Sequence, residues 1–232
     1  TELMFIYPNK AASYKNRGDA LFALMRYQEA IKDYEQATVI NSLDSAAFIA
    51  LGKAYTALGD FETARSHFNQ AVQLDSNSSE AYAARGFLSV QTEDHATGLT
   101  DLNRAIQISI NNHDAYFKKY HAHFGLNQTS LALENLNKAI TLAPINSEYF
   151  YNRGLLKSQS NSIDAAIEDF TASIELNALL NNNDPWHAKP FVGRSIARLQ
   201  QNDPTEALKD LDKALELLEG QFNTPEWDYY QS

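Results

Sequence analysis

The sequence predicts an all-α solenoid of antiparallel helix pairs, and three observations carry that prediction. Tyr14, Phe48, Tyr82, Tyr116 and Phe150 stand 34 residues apart, and Phe191 follows after 41. Small residues recur at fixed offsets from this aromatic. Four on stand Gly18, Gly52, Gly86, Gly154 and Ser195; sixteen on stand Ala30, Ala64, Gly98, Ala132, Ala166 and Ala207. Seven further on come Ala37, Ala71, Ala105, Ala139, Ser173 and Ala214. Finally, each period holds two apolar stripes of helical spacing with turn residues between them. A fixed period of this length marks units that bury their apolar faces only against their neighbours.

The second period shows the unit most plainly. Phe48, Leu51, Gly52 and Tyr55 follow i, i+3, i+4, i+7. Gly59-Asp60 then supplies a turn, Ala64, Phe68 and Ala71 mark a second helix, and the polar run 74–79 ends it. The unit is therefore helix–turn–helix, over 11–44, 45–78, 79–112, 113–146, 147–180 and 188–221. Residues 1–10 read as the tail of a preceding second helix, with Pro8 in the place Pro144 takes. Residues 222–232 hold a helix start at Thr224-Pro225-Glu226, with an N-cap, a first-turn proline and an acid at the positive dipole end. The chain is thus expected to be part of a longer array. Between repeats five and six, residues 181–187 (Asn-Asn-Asn-Asp-Pro-Trp-His) form an insertion with turn chemistry.

These residues (the aromatic, the glycine, the alanine pair and Pro144) resemble the tetratricopeptide repeat family over almost the whole chain. The resemblance implies a right-handed superhelix in which the first helix of each pair lines a concave groove. It implies fold more firmly than function, because one fold hosts many functions.

Departures between copies are as informative as the agreements. Three residues after the aromatic stand Arg17, Leu51, Arg85, Lys119, Arg153 and Arg194. Sixteen further on stand Asp33, His67, Asp101, Asn135, Asp169 and Asp210. Arginine always comes with aspartate, and where one is lost so is the other. This predicts ion pairs between helices. An arginine row for binding anions is the competing reading. Tyr120 occupies the slot of Gly or Ser, so packing there should widen or the ring turn outward. His121 and His123, two apart, do not share a helix face, so they form no metal pair. His121 should face the groove and His123 should pack. Trp186 is read as packing over the lengthened helix end rather than as a binding anchor. Asn77 and Asn127 head short glycosylation-like triplets in expected turns, a pattern that also arises by chance.

Composition narrows the function. A net charge of −10 disfavours nucleic acid and anionic membrane and suits a basic or polar protein segment. There is no cysteine, which excludes disulfides and thiol chemistry and fits cytosol or bacterial periplasm alike. No apolar run reaches membrane-spanning length. No cofactor or catalytic constellation is placed: neither paired carboxylates, a Ser–His–Asp set nor a Gly-rich phosphate loop.

The expected function is a non-catalytic scaffold that binds a peptide, helix or partner domain in its groove. The alternatives are assembly through array ends or convex face, and the recognition module of a larger protein or enzyme. The resemblance implies groove positions one, two and five after each aromatic. The candidates there are Lys15, Asn16, Asp19, Ile49, Lys53, Phe87, Phe117, Lys118, His121, Tyr151 and Asn152, with Val192, Leu155 and Ile196 at equivalent places. Phe87, Phe117 and Tyr151 are expected to form an exposed apolar strip. A carboxylate clamp of the kind one subgroup uses on acidic C-termini is disfavoured, since Lys15 is followed by Asp19 and the next helix offers Ala50.

Overall fold

The computed structural model describes residues 10–179 and 184–222. The expectations for residues 1–9, for 223–232 and for the start of the insertion lie outside the described residues. The chain divides at Gln128 into two compact units, 1–128 and 129–232. All regular structure among the described residues is helical.

The first unit holds α1 (Ala11–Ala23), α2 (Tyr27–Ile40), α3 (Ser45–Ala57), α4 (Phe61–Leu74), α5 (Ser79–Gln91), α6 (His95–Ile108) and α7 (His113–Gly125). The second holds α8 (Thr129–Leu142), α9 (Ser147–Gln159), α10 (Ile163–Ala178), a short 3-10 turn (Pro185–His187), α11 (Ala188–Gln200) and α12 (Pro204–Phe222). Each helix packs on the next within its unit, and successive first helices (α1, α3, α5, α7; then α9, α11) also touch. First helices are 13 residues long and most second helices 14. The exceptions are α10 with 16, just before the insertion, and α12 with 19.

Local chemistry starts these helices where the period requires. Asp44, Asp60, Ser78, Asp94, Asn112 and Asn146 accept hydrogen bonds from backbone amides of the first turn, each cap worth about 1 kcal/mol. Within a repeat, the first helix's opening serine ties to the second helix. Ser45 and Ser79 donate to the Ala71 and Ala105 carbonyls, and Ser173 donates to that of Ser147.

The small residues of the period are buried in contact between helices. Ala30, Ala64, Ala132 and Ala166 are fully enclosed. A Cβ on Gly52 would lie 2.4 Å from the Phe68 ring, so the glycine seats an aromatic from the second helix. In the third repeat Gly86 and Gly98 face each other instead, and a Cβ on either would meet the other's carbonyl oxygen at 2.8–2.9 Å. The turn between paired helices carries a left-handed residue in every copy: Met25, Gly59, Glu93, Asn127, Asn161 and Asn202, with φ of 57–80°.

The interhelical ion pairs are present in all four arginine copies. Arg17 Nε and Nη2 hold Asp33 at 2.6 and 2.5 Å, and Arg85 holds Asp101 at 2.7 and 2.8 Å. Arg153 holds Asp169 at 2.8 and 2.7 Å, and Arg194 holds Asp210 at 3.0 and 2.7 Å. Each guanidinium also lies 5.4–5.7 Å from the centre of its repeat's period aromatic: Tyr14, Tyr82, Phe150 or Phe191. Three reach further, to the second helix of the preceding repeat: Arg85 to Asn69, Arg153 to Asn137 and Arg194 to Thr171. One side chain thus fastens three helices. The fork geometry of arginine makes this bidentate grip possible.

Tyr120 does not turn outward. It is buried, its ring stacked 5.7 Å from Phe117 and tilted 5.9 Å from Phe124 on the same helix.

Candidate functional site

The first helices of the first unit form two adjoining troughs that share Phe22 and Lys53. One, of about 330 Å³, has Lys15, Asp19, Ile49 and Glu80 on its walls. The other, of about 270 Å³, is lined by Thr56, Phe87, Gln91 and Lys118 among others. The second unit has a trough of about 490 Å³ walled by Tyr151, Leu155, Trp186, Lys189, Ile196 and Leu218.

The first trough is charged but internally satisfied. Lys15 Nζ meets Asp19 at 2.9 Å, and the Tyr34 hydroxyl donates to the same carboxylate at 3.0 Å. Burial, then that hydrogen bond, holds the Tyr34 hydroxyl well above its ordinary pKa. Lys53 reaches across to Glu80 on the next first helix at 2.6 Å. In the second trough Lys118 pairs with Asp114 at 2.5 Å and lies 5.6 Å from the Phe87 ring centre. Each ammonium in the first unit's two troughs therefore has a carboxylate partner. A ligand's acid would have to compete for these cations.

His121 sits among rings, 5.6 Å from Phe87, 4.8 Å from Phe117 and 4.6 Å from Tyr120. Desolvation there lowers its pKa to about 4, so it is neutral near pH 7. His123 is buried, its Nδ1 2.6 Å from the Gln128 side-chain oxygen.

The structure distributes the sequence candidates unevenly. Lys15, Asp19, Ile49 and Lys53 share one trough, and Lys53, Phe87 and Lys118 share the next. Ile49 and Phe117 are buried, so Phe117 belongs to the packed aromatic cluster and not to an exposed strip. Phe87 and Tyr151 are half-buried and pack against core clusters. Asn16 is exposed on α1. Asn152 donates to the Glu148 carbonyl at 2.8 Å, so its amide is engaged within its own helix. Tyr151 lies in the second unit's trough, where Trp186 meets it edge-on at 5.4 Å. Trp186 thus meets a first helix and forms a trough wall.

Several wall residues lie beyond the offsets one, two and five: Glu80 and Lys189 two before the aromatic, Phe22 and Thr56 eight after it, Gln91 nine after it. Extending the same face by one helical turn in each direction would have reached them.

No helix among the described residues is long and apolar enough to cross a membrane. Among those residues no group of three or more His, Asp or Glu is placed to hold a metal ion.

No curated protein sequence matches the chain significantly. Solved structures do. One is a subunit chain in the APC/C hetero-tetramer Cut9–Hcn1, matched at a TM-score of 0.80 and 16% identity over 98% of this chain. This chain spans only 43% of that one. PilF of Pseudomonas aeruginosa matches at 0.71 and 14% identity, over 95% of this chain and 96% of its own. YrrB, a repeat protein with an unusual peptide-binding site, matches at 0.56 and 24% identity, over 79% of this chain and 91% of its own. At such identities the likeness concerns the fold. The tetratricopeptide repeat family matches by sequence at residues 9–77, 49–112 and 147–178. With the period, the helix pairs and these matches in agreement, the chain belongs to the tetratricopeptide repeat family.

Proposed function

We propose that the chain is a non-catalytic scaffold that captures a peptide or helix of a partner protein along its first helices. Tetratricopeptide repeat domains typically act as protein–protein interaction modules, and YrrB is one with a peptide-binding site. The observation that carries the reading here is the pair of adjoining troughs in the first unit. They set apolar walls (Phe22, Phe87) beside fixed charges (Lys15, Asp19, Lys53, Glu80). That combination suits a segment with alternating apolar and polar side chains. Preordered helices spare the ordering cost a flexible receptor would carry.

The test is selection of displayed random peptides on the folded protein, then titration calorimetry of the winners. Lys53→Glu and Phe87→Ala should each weaken binding at least about tenfold. Winners that bind both variants as tightly as wild type would remove the troughs from the account.

A second reading rests on α12. Leu208, Leu211, Leu215 and Leu218 are exposed at spacings of three and four, a continuous apolar stripe. It supports assembly through this stripe, whose Leu218 also walls the second unit's trough. Light scattering across a concentration series tests it: a monomer at every concentration excludes self-association through the stripe.

A further inference from the structure

The seventeenth residue after each period aromatic is Ile31, Leu99, Leu133, Ile167 or Leu208 in five repeats, and Arg65 in the second. An apolar slot has thus been given to a guanidinium at one place. The surroundings changed with it. Arg65 faces a pocket of about 360 Å³ between α4, α5 and α6, whose walls include the hydroxyl residues Ser89, Thr97 and Thr100. The position of Ser89 is held in later repeats by His123, Lys157 and Arg198, and that of Thr100 by Glu134, Glu168 and Lys209. Larger or charged side chains are replaced here by small hydroxyls. None of the trough positions contributes to this pocket.

The charges leave Arg65 with spare capacity. Arg17, Arg85, Arg153, Arg194 and Arg198 each hold an aspartate at 2.5–2.7 Å. Arg65 instead donates to two neutral hydroxyls, Ser89 Oγ at 3.4 Å and Thr92 Oγ1 at 3.3 Å. Both bonds are long for a charged donor. Nearby carboxylates are committed elsewhere: Asp101 to Arg85, and Asp94 to the Thr97 amide and hydroxyl at the start of α6. Arg85 is neutralised by Asp101, whereas Arg65 has no carboxylate in contact and feels only the longer-range pull of Asp94.

We propose that this pocket is an oxyanion site that takes a phosphate group, gripped by Arg65 with the hydroxyls of Ser89, Thr97 and Thr100 around it. The Thr97 and Thr100 hydroxyls donate to Asp94 and to the Ala96 carbonyl and would turn from these to the anion on binding. Donors then come from three helices and do not lie in one plane, which suits a tetrahedral anion better than a flat carboxylate. The pocket is also larger than a bare phosphate needs, so it has room for the ester group of a phosphorylated ligand.

The experiment titrates the folded protein with sodium phosphate, sodium acetate or sodium chloride at matched ionic strength, reading backbone amide shifts and thermal midpoint. Phosphate should shift the amides of Ser89, Thr97 and Thr100 saturably and raise the midpoint, with chloride as the baseline. Arg65→Leu installs the residue other repeats carry, so it should stay folded and lose phosphate affinity at least about tenfold. Arg65→Gln provides a second, polar variant expected to behave alike. Unsaturable shifts, or phosphate binding unchanged in both variants, would overturn the site. Acetate acting as strongly as phosphate would overturn the tetrahedral assignment.

Discussion

The second and third repeats fill the same two slots in opposite ways. In the third, Arg85 and Asp101 form a bidentate ion pair, backed by Asn69 and by the Tyr82 ring. In the second, Leu51 is buried and His67 lies 6.1 Å from the Phe48 ring and 5.4 Å from that of Tyr55. Burial lowers the pKa of His67, so the slot there holds an uncharged imidazole at neutral pH. Both solutions hold a first helix against a second. The slot therefore belongs to the fold, and its charge is optional provided both partners change together. Half a replacement is the costly case, since it leaves a buried charge without its counter-charge.

The largest effect comes from making such a half replacement where both partners are largely buried. Asp169 accepts from Arg153 and pairs with Lys157 at 2.8 Å, and it is 3% exposed. Asp169→Ala should cost about 3–5 kcal/mol by chemical denaturation. Asp33→Ala should cost only about 1 kcal/mol, because the Arg17 side chain is 46% exposed and water can replace the carboxylate. Equal costs for the two would break the link between burial and the worth of the pair.

The buried imidazoles give the next effect. An unfolded histidine titrates near pH 6.5, roughly, and His121 in the fold at about 4. Between these values the unfolded chain binds the extra proton, so stability falls as pH drops through that window and levels off below it. The loss from this residue is about 3 kcal/mol. Comparison with His121→Phe isolates it from the carboxylates: the variant should lose that much less between pH 7 and 4. Parallel curves would place His121 in contact with water.

The smallest effect lies in the turns. Glu93 holds a left-handed conformation that Gly59 adopts one period earlier at no steric cost. Glu93→Gly should stabilise by about 0.5–1 kcal/mol, whereas Asn161→Gly should change stability by only a few tenths, roughly. Thermal melts check both.

What the sequence disclosed follows from what repeats. The period, the helix pairs and the Arg–Asp pairs were legible because copies in one chain supply their own comparison. The left-handed slot escaped notice because Met25, Gly59, Glu93 and three asparagines share no side-chain chemistry, only a backbone angle. Phe117 is buried although the core face of its helix is complete without it in sequence; the rings of Tyr120 and His121 pack against it. Trough walls such as Phe22 and Lys189 lay one helical turn beyond the offsets considered. The Arg65 pocket is visible in sequence only as a departure from an apolar column, and only the structure brings its hydroxyls together.

The central claim is that repeated residues hold the fold while varied first-helix residues bind. Helix α5 carries both kinds two positions apart, Arg85 in an ion pair and Phe87 in a trough. The direct measurement is the affinity of a selected peptide for wild type, for Arg85→Leu/Asp101→His, which copies the second repeat, and for Phe87→Ala. The folded double variant should keep its Kd unchanged, and Phe87→Ala should lose at least about tenfold. Loss in the double variant with Phe87→Ala unaffected would contradict the claim.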